Sequence, residues 1–265
     1  KIGLCKIRNL QYEDALAYFE VCENHAEIYD DKKTYQLVLY DKALCYKKLN
    51  KLELAVETID KYLNFKDRKD TPTFYIYASM IKANCYDEMS KFDRAIEIYN
   101  MLISQISEDS TPLTGLVYSA LGTVYLHKED FDASLRCFEK SLQIRSVIDR
   151  SNLSHTLIEM AELFLKQKLY YEAINTIKSG LAEAESYKDY EYMLKGNNKL
   201  ANIYEDLKDT AGMKEVYVTI ADLLKTTKDY KELVSVYVKL ALIYIDENDN
   251  DTAKEYLKRS QEIDL

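Results

Sequence analysis

Catalysis or metal binding needs polar side chains that converge, and the reactive residues of this chain are spaced so that they do not. The three histidines, His25, His127 and His155, stand far apart, with no His-x-x-x-His or His–Cys spacing that would seat a metal. No glycine-rich phosphate loop and no G-x-S-x-G nucleophile turn occurs. Paired carboxylates such as Glu13-Asp14 and Asp30-Asp31 fall at helix starts and turns, where they complement the helix dipole. The cysteines, Cys5, Cys22, Cys45, Cys85 and Cys137, are odd in number and form no C-x-x-C pair, a usage that suits a reducing cytoplasm. Three of them, Cys5, Cys45 and Cys85, recur at a fixed interval. That pattern reads as a redox ladder or as one small packing residue reused. Equivalent positions on neighbouring helices usually sit too far apart for a disulfide, which favours packing. The expectation is a non-enzyme with no cofactor and no metal.

The elements that carry these residues are helical by composition. Apolar residues make up 47% and charged residues 31%, enough of both for a core under a solvated surface, while six Gly and two Pro leave little turn chemistry. Long helices joined by short polar turns follow. The net charge of -9 and pI near 5.1 set the surface against phosphate backbones and anionic lipid, so direct nucleic-acid binding by this segment is not expected. No apolar stretch reaches the length of a membrane span.

The main signal is a repeat of about 40 residues. Ala15, Ala55, Ala95, Ser134, Ala173, Met213 and Ala253 align when the chain is slid against itself. Twelve residues before each stands Gly3, Ala43, Ala83, Gly122, Ala161, Ala201 or Ala241, and four residues after each stands a bulky side chain from Phe19 to Leu257. An aromatic follows the first small residue by three in six of the seven units, from Tyr46 to Tyr244. A small residue lets two helix backbones approach, and the large one a turn away fills the neighbouring gap. Each unit is thus an antiparallel helical hairpin.

The segment ALGTVYLHKEDFDASLRCFEKSL, residues 120–142, resembles the tetratricopeptide consensus, with Leu121, Gly122, Tyr125, Phe131, Phe138 and Ser141 at signature places. The resemblance implies an all-α, right-handed tetratricopeptide superhelix of about seven hairpins. They run over 1–30, 33–70, 72–109, 112–149, 151–188, 190–228 and 229–265 as one solenoid domain. Two departures stand out: the closing proline of the motif is missing, and the period is near 40 instead of 34. The added residues lengthen each hairpin and deepen its groove. Thr71-Pro72 and Thr111-Pro112 mark first-helix starts, each a Thr N-cap before Pro. The first unit starts inside a helix, which leads to the expectation of an upstream domain.

In this family the first helix of each hairpin lines the concave face. The places three before and one after the small residue give Tyr40/Leu44, Met80/Asn84, Ser119/Thr123, Ile158/Glu162, Asn198/Asn202 and Val238/Leu242. One turn away lie Lys47, Asp87, Glu205 and Lys195, and Tyr77 also falls toward the groove. Asparagine can donate to and accept from a peptide backbone while apolar pockets take side chains. The candidate peptide contacts are therefore Asn84, Asn198, Asn202, Tyr40, Tyr77, Met80, Asp87, Lys195 and Glu205. Chaperone-tail receptors of the superfamily use a Lys/Asn carboxylate clamp, whose places here hold Tyr40, Asp41, Tyr77 and Ile81, against a co-chaperone role.

The long period, Asn-bearing groove and Lys/Ile/Tyr/Asn-rich composition resemble the sensor domain of Gram-positive peptide-pheromone receptors, the RRNPP family. That resemblance implies a short signalling peptide as partner, homodimerisation, and DNA contact only through an upstream helix-turn-helix. Two alternatives remain open: a general protein-protein scaffold, and a response-regulator phosphatase of the same superfamily whose catalytic part lies upstream.

Overall fold

A computed structural model describes residues 2–8, 10–65, 72–106 and 111–263. Among them are fourteen α-helices and no strand. They pair as hairpins: α1 (Ile2–Arg8) with α2 (Tyr12–Ile28), α3 (Lys32–Lys48) with α4 (Leu52–Leu63), and α5 (Pro72–Glu88) with α6 (Phe92–Gln105). Then follow α7 (Pro112–His127) and α8 (Phe131–Ile148), α9 (Leu153–Lys166) and α10 (Tyr170–Tyr187), α11 (Tyr190–Asp206) and α12 (Thr210–Thr227), and α13 (Tyr230–Asp246) and α14 (Asn250–Gln261). The all-α solenoid expected from the repeat is thus the fold. The chain forms two compact units, Lys1–Cys137 and Phe138–Leu265, with the division inside α8.

The turns explain how so few glycines suffice. Leu10, Asp30, Asn50, Ser90, Glu129, Lys168, Lys188, Lys208, Lys228 and Asn248 all take positive φ, between 51° and 65°. Each places one non-glycine residue in the left-handed region to end a helix, a position usually given to Gly. In six of these turns the next residue is an aspartate that caps the following helix: Asp31, Asp130, Asp189, Asp209, Asp229 and Asp249 accept backbone N–H groups at 3.0–3.2 Å. A dipeptide therefore closes one helix and opens the next. Asp30-Asp31 is such a turn, and Glu13 and Asp14 lie in the first turn of α2, as their pattern suggested. Thr111 caps α7 in a reciprocal box with Thr114, while its counterpart Thr71 lies outside the described residues.

The small-against-large nesting is visible in both units. A Cβ added to Gly3 would stand 2.8 Å from the Phe19 ring, and Ser134 donates to the Gly122 carbonyl at 2.8 Å. Ala55, Ala95 and Ala173 have no exposed surface. The sixth hairpin differs from the alignment: Met213 is only half-buried, and Gly212 faces Tyr204 so closely that a Cβ would come within 2.7 Å of the ring. The chain there uses the residue before the aligned anchor as its contact. Cys45 and Cys85 are buried free thiols in the packed clusters, and burial pushes each up to about 11. Cys5, the third member of the recurring set, is exposed, so the packing reading holds for Cys45 and Cys85 and not for Cys5.

Unit 2 opens with a break in the pattern. Between α8 and α9 the chain makes a 3₁₀ turn at Arg150–Asn152, held by Arg145, which is 2% exposed and donates to the Asn152 carbonyl at 2.6 Å. Burial lowers the pKa of this guanidinium, against the pull of Asp149 and Glu159.

Candidate functional site

The expected first-helix face is covered on α5 and α9 and open on α11 and α13. In unit 1, α5 packs on both α3 and α7. Met80 is 7% exposed and shares a buried cluster with Val117, Leu121 and Val124, so it is a core residue and not a groove contact. Asp87 is likewise removed from the face: it is 8% exposed, with its Oδ2 2.8 Å from His127 Nδ1. Both corrections have one cause, the close approach of α7, which covers positions that helical periodicity alone leaves outward. Asn84 is half-buried, and its Oδ1 accepts from the Tyr99 hydroxyl at 2.5 Å. Tyr40 is half-buried against Tyr62 and Phe74, at ring separations of 5.9 and 6.1 Å, while Tyr77 remains exposed.

In unit 2 the first helix α9 is also covered. Ile158 is fully buried because Gly180 and Gly196 bring α10 and α11 against it; a Cβ on either glycine would come within about 3 Å of the Ile158 side chain. Gly196 thereby sets α11 down on α9, and polar side chains lace the two helices. Glu159 faces Lys195 at 3.6 Å and accepts from the Tyr192 hydroxyl at 3.3 Å, and Glu162 pairs with Lys199. The Tyr192 ring stacks on His155 at 3.6 Å, and His155 Nε2 lies 2.7 Å from Asp189. Lys195 caps this group, its Nζ 4.7 Å from the Tyr192 centroid.

Beyond that seam the face opens. Asn198, Asn202 and Glu205 of α11 are exposed, and none of their side chains has a hydrogen-bond or ion-pair partner among the described residues. At the same register on α13 stand Val238, Leu242 and Ile245, 38%, 55% and 43% exposed. A ladder of amide, amide and carboxylate thus runs beside an apolar stripe of three. Such an arrangement can hydrogen-bond an extended backbone and accept apolar side chains next to it. Val238 and Leu242 were legible from the repeat. Ile245 was not singled out, although its place forty residues after Glu205 carries the same signal.

Tetratricopeptide repeat models match residues 38–67, 77–105, 113–186 and 234–265. The chain belongs to the tetratricopeptide repeat family. Among solved structures, this tetratricopeptide array is similar to the apo form of RapI, with a TM-score of 0.64, 16% identity, and 98% of this chain and 94% of that one covered. It is also similar to the apo quorum sensor NprR from B. thuringiensis, with a TM-score of 0.64, 22% identity, and 97% and 73% covered. A third is the Rap conjugation gene regulator of plasmid pLS20 in complex with the Phr* peptide, with a TM-score of 0.63, 16% identity, and 97% and 70% covered. At these identities the likeness is one of fold. No curated protein matches the chain in sequence. Among the described residues, the tetratricopeptide helices bring together no group of three His, Cys, Asp or Glu placed to hold a metal, and none is long and apolar enough to cross a membrane.

Proposed function

We propose that the open face of α11 and α13 holds a short extended peptide, and that the array is the ligand-sensing part of a bacterial peptide-responsive regulator. The observation that carries this reading is the pair Asn198 and Asn202, one turn apart, exposed and with side chains unpartnered among the described residues, beside Val238, Leu242 and Ile245. An amide left free on a helix face can donate to a peptide carbonyl and accept from a peptide N–H, as one edge of a strand would. Glu205 gives that ladder a negative end suited to the amino terminus or a basic side chain of the peptide. The fold shared with NprR and with a Rap regulator in complex with the Phr* peptide supports the reading.

The role so proposed is binding and not catalysis. Its setting would be the cytoplasm, where an imported peptide meets the array, and its output would pass to a homodimer partner or to a DNA-binding domain outside this chain. Each hairpin touches only its neighbours, so a ligand bridging α11 and α13 would shift the hairpin packing in unit 2. The test is a screen of arrayed short synthetic peptides followed by calorimetry with the best binder. An apolar peptide should bind the parent protein and lose at least about tenfold in affinity with Asn198→Ala/Asn202→Ala, about 1.4 kcal/mol. Unchanged affinity in that double variant would refute the site. Capture of a folded partner with no peptide binder would favour the scaffold reading.

A further inference from the structure

Unit 1 carries a second feature, unrelated to the open face of unit 2. The second helices α4 and α6 both pack on α5 and leave a cleft over it of about 520 Å³. Its floor is Ser79, flanked on α5 by Tyr75, Lys82 and Tyr86, with Leu63 of α4 and Arg94 of α6 among its walls. At 100° per residue, this side of α5 lies roughly opposite the side bearing Met80, Asn84 and Asp87.

A small residue stands at the base of the cleft. At the register of Ser79 the other first helices carry Leu39, Tyr118, Leu157, Asn197 and Tyr237, all larger. Ser79 is 1% exposed, and its hydroxyl has no hydrogen-bond partner among the described residues. A buried hydroxyl left unpaired costs stability, and a ligand that supplied its partner would recover that cost.

The walls define what could do so. Arg94 lies over the Tyr86 ring at 5.5 Å and has no ion pair among the described residues. Lys82, held by Asp60 at 2.6 Å, adds a second cation, with its Nζ 5.8 Å from the same ring. With Lys82 paired to Asp60, Arg94 is the cation of the cleft left without an ion pair among the described residues, and Glu97 is the one acidic residue among the described residues that line it. Tyrosine and aliphatic surface beneath two cations suits a flat ring carrying one carboxylate.

We propose that this cleft is a binding site for an aromatic monocarboxylate, the ring lying against Tyr86 and the carboxylate meeting Arg94, Lys82 and the Ser79 hydroxyl. The same chemistry is presented by a free arylacetate and by the carboxyl-terminal aromatic residue of a peptide. Calorimetry on the full chain with 4-hydroxyphenylacetate and with N-acetylphenylalanine distinguishes these sources, since the site admits the first alone if only a free acid fits. Saturable binding of either, at least about tenfold tighter than its uncharged amide, is the expected result. Arg94 is exposed on α6, so Arg94→Ala should keep the fold and lose at least about tenfold in affinity. Ser79→Leu, which restores the residue type of Leu39 and Leu157, should abolish binding. Ser79→Ala should raise the melting temperature of the free protein while weakening the ligand, opposite signs that a purely structural serine would not give. Asn198→Ala/Asn202→Ala should leave this binding unchanged, which separates it from the peptide site. No saturable binding of either acid, or affinity indifferent to Arg94 or to the carboxylate, would overturn the proposal.

Discussion

The same positions on the first helices do opposite work in the two halves of the molecule. Met80, Asn84 and Asp87 on α5 are tied into unit 1, one in the core, one to Tyr99 and one to His127. Their counterparts Asn198, Asn202 and Glu205 on α11, and Val238, Leu242 and Ile245 on α13, face outward. Register alone does not make a binding face. The separation of neighbouring first helices does, and it is set by side chains elsewhere in each hairpin. Where α7 closes on α5 the face becomes core, and where Gly196 seats α11 on α9 it is the α9 residue Ile158 that disappears.

The comparison is sharpest when one register is truncated in both units. Met80→Ala removes a 7% exposed side chain from a packed cluster and should cost about 2–5 kcal/mol, whereas Leu242→Ala, at 55% exposure, should change stability by less than about 0.5 kcal/mol. Urea denaturation of both variants checks this. Equal effects would mean that the two faces are packed alike, contrary to the burial pattern. For peptide affinity the order should reverse, with Leu242→Ala the damaging change.

A second pair compares acids. Asp41 on α3 and Glu159 on α9 share a register, but Glu159 meets Lys195 and Tyr192. Asp41 has no ion pair among the described residues, and burial raises it to about 6. A carboxyl whose pKa is raised on folding binds more protons in the folded state between its ordinary value near 3.8 and about 6. Stability contributed by this group therefore falls as pH rises through that window, and the cost is fully present above it. Partial solvent access reduces the effect to about 1 kcal/mol. Asp41→Asn should accordingly stabilise the protein by about that amount at pH 7.5 and leave it unchanged near pH 3.5, read by urea titration at each pH. A gain that persists at the lower pH would point to packing instead of charge.

Much of the architecture was legible because it is local. Alanine anchors such as Ala55 and Ala95, the Thr111-Pro112 start and the helix-opening aspartates depend on residues within one hairpin. The α11 ladder was legible for the same reason, since Asn198 and Asn202 sit one turn apart on one helix. What sequence periodicity could not give depends on the next hairpin. The burial of Met80 and Asp87, the use of Gly212 in place of Met213, and the cleft over Ser79 all follow from interhelical distances that no spacing encodes.

The smallest expected difference lies in the turns. Four successive turns of unit 2 put lysine in the left-handed position, at Lys168, Lys188, Lys208 and Lys228, whereas unit 1 uses Asp30 and Asn50 at two of its turns. Asparagine and aspartate tolerate that conformation because their short side chains bond locally, and lysine does not. Lys208→Gly should therefore stabilise by about 0.5–1 kcal/mol, and Asn50→Gly by a few tenths at most. Lysine has a compensating role: its charge stands at a helix C-terminus, where a cation gains about 0.3–1 kcal/mol that glycine forfeits. That contribution is screened by salt while the backbone strain is not. The gain from Lys208→Gly should consequently grow between low salt and about 0.5 M salt, with Asn50→Gly unaffected. A gain that shrinks with salt would mean that strain at φ 56° is not what the substitution relieves.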